Sequence, residues 1–292
     1  MIRFLTKPTI FLLVLSKLTP FLAVAESLDK QLKVFVSILP QAYFVERVGE
    51  SHVKVEVLVE PGLSPETFEP TPQQLARLAQ ADLYFRIGLP FEERLLEKIH
   101  ATMRDLPIVD TRQSIKLRTL NSDHEDVNTD PHIWLDPKLV SIQAETICEA
   151  LIHLDSSHSV EYQANLQAFQ TDLNNTDVKI SQILEPLKGQ KFYVFHPSFG
   201  YFADAYGLIQ TAVEVDGKEP SAKQLTVLID DARREDVKVI FFQPQFSSKS
   251  AESVAKAIGG TVAPLDPLSP DYLGNLEDIA KKIDRALRGK GD

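Results

Sequence analysis

From Ser159 to Glu185 the chain has no glycine and no proline, and Pro186 is the first interruption. Tyr162, Leu166, Phe169, Leu173, Ile180, Ile183 and Leu184 recur through this stretch at largely helical spacing, which predicts one long helix within 159–187. At roughly 1.5 Å per residue, about 25 residues would span about 40 Å. A rod of that length makes a stiff brace between whatever lies on either side of it. The paired weak helix formers Asn174-Asn175 leave two shorter helices as the alternative.

The flanking segments share one rhythm. Before the helix, Leu32 to Ile38, Val53 to Val59, Leu83 to Ile87 and Ile108 to Val109 read as strands. Gln41 to Val48, Pro72 to Gln80 and Phe91 to Met103 read as helices between them. After it, Phe192 to Phe195, Ile209 to Val215, Val237 to Phe242 and Thr261 to Leu265 form a second set of four strands. Alternation of this kind indicates parallel sheets covered by helices. The expected fold is α/β: two similar lobes, 26–158 and 188–292, each a mainly parallel four-stranded sheet flanked by helices and joined by the rigid helix 159–187. Thr71-Pro72-Gln73-Gln74 is a well-formed helix start, with threonine as N-cap and glutamine closing a capping box.

The first residues set the expected compartment. Arg3 and Lys7 precede an apolar run from Thr9 to Leu15, and Ala23-Val24-Ala25 before Glu26 has the small-x-small form of a signal-peptidase site. Residues 1–25 are therefore expected to be a signal peptide, and Lys17 makes them a poor membrane span. The lone cysteine, Cys148, lies far from the cleavage site, so neither a lipid anchor there nor an intramolecular disulfide is expected. The expected product is exported, soluble, periplasmic and monomeric. Its net charge of −10 argues against nucleic acid as a partner, because phosphates demand a basic surface.

Four places set a metal-binding side chain at an element boundary beside prolines. They are Ser64-Pro65-Glu66-Thr67-Phe68-Glu69-Pro70, Asp130-Pro131-His132-Ile133-Trp134-Leu135-Asp136-Pro137, Phe195-His196-Pro197-Ser198-Phe199 and Pro264-Leu265-Asp266-Pro267-Leu268. Proline restricts the backbone, and ligands ordered in advance lose less on binding. Ligands of parallel α/β sheets bind at the carboxyl ends of strands. Two facing lobes would bring Glu66 and His132 from one side against His196 and Asp266 from the other. His52, His100, His153 and His158 lack such flanking rigidity and read as surface or hydrogen-bonded residues. Asp136 and Glu69 read as turn or capping groups, and Trp134 as core or cleft wall. His124 is the single histidine of the acidic stretch Asn121 to Asp130, which reads as an exposed loop.

These segments, in order and together with Gly217-Lys218-Glu219-Pro220-Ser221, resemble the signature stretches of the zinc/manganese-type solute-binding proteins of ABC importers. The resemblance implies two α/β lobes joined by one long helix, with a metal ion held between them on Glu66, His132, His196 and Asp266. It also implies delivery of that ion to an ABC permease in the inner membrane. The family usually has histidine where this chain has Glu66, and histidine at the position of His196 goes with zinc-type members. Two imidazoles and two carboxylates would neutralise a divalent ion. Zinc accepts four such ligands tetrahedrally, and the Irving–Williams order favours Zn2+ over Mn2+ or Fe2+ at one site. Zinc is the expected cargo, with manganese or iron as alternatives. A secreted zinc hydrolase is the rival class, although the chain has no His-Glu-x-x-His helix, Gly-x-Ser-x-Gly elbow or glycine-rich phosphate loop. A binding protein for another small solute would need a larger, aromatic-rich cleft.

Overall fold

The computed structural model describes residues 31–119, 129–214 and 221–289. The expected signal peptide, His124 and residues 217–220 lie outside the described residues.

In the first lobe, β1 (Leu32–Val36), β2 (Val53–Val57), β3 (Leu83–Arg86) and β4 (Ile108–Asp110) form a wholly parallel sheet in the order β2-β1-β3-β4. Val34, Phe35 and Val36 of the central strand are buried, as a strand covered on both faces requires. The helices α1 (Leu39–Gly49), α2 (Pro72–Leu78) and α3 (Pro90–Thr102) make the crossovers. The second lobe repeats the plan with β5 (Lys191–Val194), β6 (Ile209–Ala212), β7 (Val239–Phe242) and β8 (Thr261–Pro264), in the order β6-β5-β7-β8. Its helices are α6 (Gly200–Tyr206), α7 (Ala222–Arg234), α8 (Ser248–Ile258) and α9 (Tyr272–Arg288). In each sheet the chain runs from the central strand to one side and then crosses to the other. That switch leaves a crevice at the carboxyl ends of β1 and β3, and a second at those of β5 and β7.

Between the sheets run α4 (Pro137–Leu154) and α5 (Ser159–Leu184). The 26 residues of α5 give a rod of about 39 Å, and it continues unbroken through Asn174-Asn175. Packing overrides the weak propensity there: Leu173, Thr176, Asp177 and Ile180 are all buried. Asp177 also accepts from Tyr206 Oη at 3.1 Å and lies 3.4 Å from Lys138 Nζ, tying α5 to α6 and α4. Pro186 ends the α-helix in a single 3₁₀ turn, Glu185–Leu187.

One apolar core runs through both lobes. Tyr272 of α9 packs edge-on against Phe44 of α1 with ring centroids 4.8 Å apart, and Tyr43 lies 5.8 Å from both Tyr272 and Phe169. Phe169 on α5 is fully buried, with the Arg47 guanidinium 4.9 Å above its ring. A smaller apolar cluster, including Phe195, Ile240 and Val254, lies between the second sheet and α7 and α8. The lobes are thus two sheets sharing one interior, and the brace is part of that interior.

Truncating Phe169→Ala should lower the free energy of unfolding by about 3–5 kcal/mol. Because the core is shared, urea unfolding followed by fluorescence and by circular dichroism should trace one transition; two separated transitions would contradict it.

Candidate metal centre

His196 stands two residues beyond β5, at the second crevice. A side-chain amide clamps its backbone: His196 N donates to Gln243 Oε1 at 3.1 Å, and Gln243 Nε2 donates back to His196 O at 2.8 Å. Gln243 is fully buried, so this pairing holds the strand end rigidly. The imidazole stacks on Phe246 with centroids 4.9 Å apart, and Nδ1 lies 2.7 Å from Glu214 Oε2. Nε2 is buried and has no hydrogen-bond partner among the described residues. A buried polar atom left bare is costly, and coordination of an ion would satisfy it.

His132 is held in the same manner. Its Nδ1 lies 2.7 Å from Asp130 Oδ1, and its backbone N donates to that oxygen at 3.0 Å. Burial pushes the Asp130 carboxyl upward, but its hydrogen bonds with His132 and the nearby Arg118 charge hold it below the usual aspartate range. Arg118 reaches Asp130 Oδ2 at 3.4 Å and Asp204 at 2.8 Å. Gly200 makes room for this pair: a Cβ there would lie 2.6 Å from Asp130 Oδ2 and would collide with the Arg118 guanidinium. With Nδ1 engaged on a carboxylate, each ring presents Nε2 for coordination, the arrangement that fixes orientation and raises basicity in metal-bound histidines.

Glu66 comes from the loop that joins β2 to α2. The expected capping box is present: Gln74 N donates to Thr71 Oγ1 at 3.2 Å, and Thr71 N to Gln74 Oε1 at 3.0 Å. Gln74 Nε2 also donates to Leu58 O at 2.8 Å, closing the loop at its base. Phe68 is buried against Phe91, and Glu66 N donates to Ser64 Oγ at 3.3 Å. The carboxylate ends with Oε1 3.7 Å from His196 Nε2 and 28% of the side chain exposed. Two ligand atoms on a tetrahedral zinc ion at about 2.1 Å would be about 3.4 Å apart.

Glu66, His132 and His196 thus offer one ligand atom each, all within 4.8 Å of one another. The structure does not bring the Asp266 carboxylate into this group. Its Oδ1 accepts from Gln245 Nε2 at 2.7 Å and from Leu268 N at 2.9 Å, both arising from the turn that follows β8 and the adjoining strand end. The cavity at the site measures about 10 Å³ and is lined by the three gathered residues with Pro65, Trp134, Ser198, Gln245, Phe246, Pro267 and Leu268. That is space for about one water-sized particle.

The expected split of two residues from each lobe needs correction. His132 precedes α5 in the chain, yet its segment is strapped to the second lobe. Tyr201 Oη donates to Asp130 O at 3.1 Å, Trp134 Nε1 to Pro267 O at 2.8 Å, and Tyr272 Oη to Trp134 O at 2.6 Å. Only Glu66 is held from the first lobe alone.

Asp136, Trp134 and the four histidines set aside from the site stand as read from the sequence, whereas Glu69 caps none of the described helices. Asp136 caps α4, accepting from Lys138 N at 2.8 Å. Glu69 is exposed beside Arg94, and Trp134 is a buried cavity wall. His100 and His153 are exposed. His52 and His158 stack with centroids 3.8 Å apart and lie 2.7 and 2.5 Å from Glu161 and Asp155. Sequence reasoning missed Asp130, Glu214, Gln243 and Gln245. Asp130 stands two residues before His132, and Gln243-Pro244-Gln245 is a proline-flanked polar group just past a strand, so the rule that found His196 applies to them as well. Glu214 has no such signal.

The model of the family described as zinc-uptake complex component A, periplasmic, matches residues 34–286. This chain belongs to that family. A Chlamydia muridarum protein is 30% identical over 87% of this chain and 91% of its own length. The high-affinity zinc uptake system protein ZnuA of Bacillus subtilis is 26% identical over 88% of this chain and 82% of its own. A crystal structure of ZnuA superposes with a TM-score of 0.84 at 44% identity, covering 88% of this chain and 99% of that one. Membership in this zinc-uptake family agrees with the plan of two four-stranded sheets linked by one long helix. Among the described residues of this family member, no helix is long and apolar enough to cross a membrane.

Removing the carboxylate that orients either imidazole should weaken binding of a divalent metal about 10–100-fold. Asp130→Asn and Glu214→Gln, titrated against a chromogenic zinc chelator, test this; affinities equal to that of the unaltered protein would remove both carboxylates from the site.

Proposed function

We propose that the chain captures a divalent transition metal, zinc above manganese or iron, on Glu66, His132 and His196 and delivers it to the permease of an ABC importer. The observation that carries this reading is the buried His196 Nε2, without a hydrogen-bond partner among the described residues, at a ligand-like 3.7 Å from Glu66 Oε1. Two imidazoles favour zinc over the harder cations, which prefer all-oxygen shells. The export signal read at residues 1–25 and the periplasmic description of the family support a place outside the inner membrane, and the cargo reaches the permease there.

Binding is favoured over catalysis by space. A catalytic zinc keeps an open position for water and needs room beside it for a substrate. Here the cavity of about 10 Å³ admits an ion and little else. The same dimension disfavours an organic solute, whose pocket would run to about 300–1,000 Å³.

Histidine must shed its proton to coordinate, so affinity should fall as the medium is acidified. His132→Ala and His196→Ala should each weaken zinc binding by orders of magnitude, and Glu66→Ala by a smaller factor. Zinc at about 1,000 times Kd should stabilise the unaltered protein by about 4 kcal/mol, read as a rise in melting temperature that both histidine variants lose. Equal melting temperatures with and without zinc would refute the proposal.

A further inference from the structure

Three buried polar atoms without a hydrogen-bond partner among the described residues belong to residues that line one cavity: His196 Nε2, Ser198 Oγ and Gln245 Oε1. The first is accounted for by the metal reading. The other two are oxygens, and nothing in the three-ligand set uses them. Each would carry a desolvation penalty unless something bound in the cavity satisfied it.

Gln245 follows β7 as His196 follows β5, and these two strands pair side by side at the crevice of the second sheet. Its amide is oriented without ambiguity. Asp266 Oδ1 lies 2.7 Å away, and an ionised carboxylate only accepts hydrogen bonds, so the NH2 must face it and Oε1 must turn the other way. Asp266 is itself fixed by Leu268 N at 2.9 Å and, through its backbone carbonyl, by Asn275 Nδ2 at 2.7 Å. The result parallels the two imidazoles. Asp130 stands behind His132, Glu214 behind His196 and Asp266 behind Gln245, each carboxylate engaging the nitrogen remote from the cavity.

Building on the metal reading above, we infer that Gln245 presents Oε1 to the captured ion as its fourth protein donor, with Asp266 acting through the amide as a positioning residue. The negative charge of Asp266 polarises the amide and strengthens Oε1 as a donor, as a chain of hydrogen bonds does in a low-dielectric site. Glu66 brings one negative charge to the ion directly, and Asp266 adds its own through the amide, as Asp130 and Glu214 do through the imidazoles. A neutral amide oxygen is a weaker partner for zinc than a carboxylate, so this fourth bond is the easiest to break. The Ser198 hydroxyl on the same cavity wall can donate to a metal-bound oxygen.

The test is a double-mutant cycle with Gln245→Leu, Asp266→Asn and the pair, reading zinc affinity by chelator competition with His196→Ala as the control. Gln245→Leu should weaken binding about 10–100-fold and Asp266→Asn by less. The double variant should be no weaker than Gln245→Leu alone, because the two act in series. A loss with Asp266→Asn as large as with Gln245→Leu, compounding in the double variant, would make Asp266 a ligand in its own right and overturn the inference. Gln245→Ala serves if the leucine variant does not keep the apo melting temperature. A zinc-loaded crystal structure decides independently: Gln245 Oε1 bonded to the metal with Nε2 still on Asp266 supports the inference, and an Asp266 oxygen bonded to the metal refutes it. Absence of zinc binding by the unaltered protein would sink the metal reading and this inference together, whereas normal binding with an unaffected Gln245→Leu would sink this inference alone.

Discussion

An imidazole keeps one nitrogen aimed in a fixed direction when a carboxylate holds the other, and that pairing organises the middle of this molecule. Asp130 and Glu214 provide it for His132 and His196. Their own positions depend on a further set of contacts: Arg118 on Asp130, Gly200 leaving room for both, Tyr201 on the Asp130 carbonyl, and the Gln243 amide on the His196 backbone. A buried carboxylate with a charged partner is stable only when its hydrogen bonds are well met. The surrounding residues therefore serve the geometry of two ring nitrogens as much as they serve the fold.

The strap through Asp130, His132 and Trp134 changes how the two lobes can act. Both imidazoles ride on the second lobe, and Glu66 arrives on a loop anchored in the first by Gln74 and Phe68. Relative movement of the sheets would pull Glu66 away while the pair of rings stayed together. The continuous core under α1, α5 and α9 keeps any such movement small, since a packed interior resists continuous deformation.

Much of this was legible in the chain because it depended on local rules. The strands follow from short β-branched runs, the start of α2 from Thr71 and Gln74, and the unbroken α5 from its apolar stripe. Glu66, His132 and His196 were found by asking which polar side chains stand beside prolines at strand ends. Two things were not legible. The allegiance of His132 is decided by hydrogen bonds to backbone carbonyls from Tyr201 and Tyr272, and from Trp134, over separations of 71 to 138 residues. No periodicity encodes such contacts. Asp266 satisfied the same local rule as the others, yet its carboxylate is engaged by Gln245, a partner 21 residues away. Residue type and position say where a side chain can point, and competition among neighbours decides what it holds.

The narrowness of the chamber between the sheets has a further consequence. At about 10 Å³ it has no room for an ion wearing its water, so whatever enters must arrive stripped or be stripped at the threshold. Magnesium gives up its hydration shell reluctantly, and calcium takes six to eight oxygens. A cation that parts slowly with water or demands many oxygens would meet that constraint before any preference for nitrogen came into play.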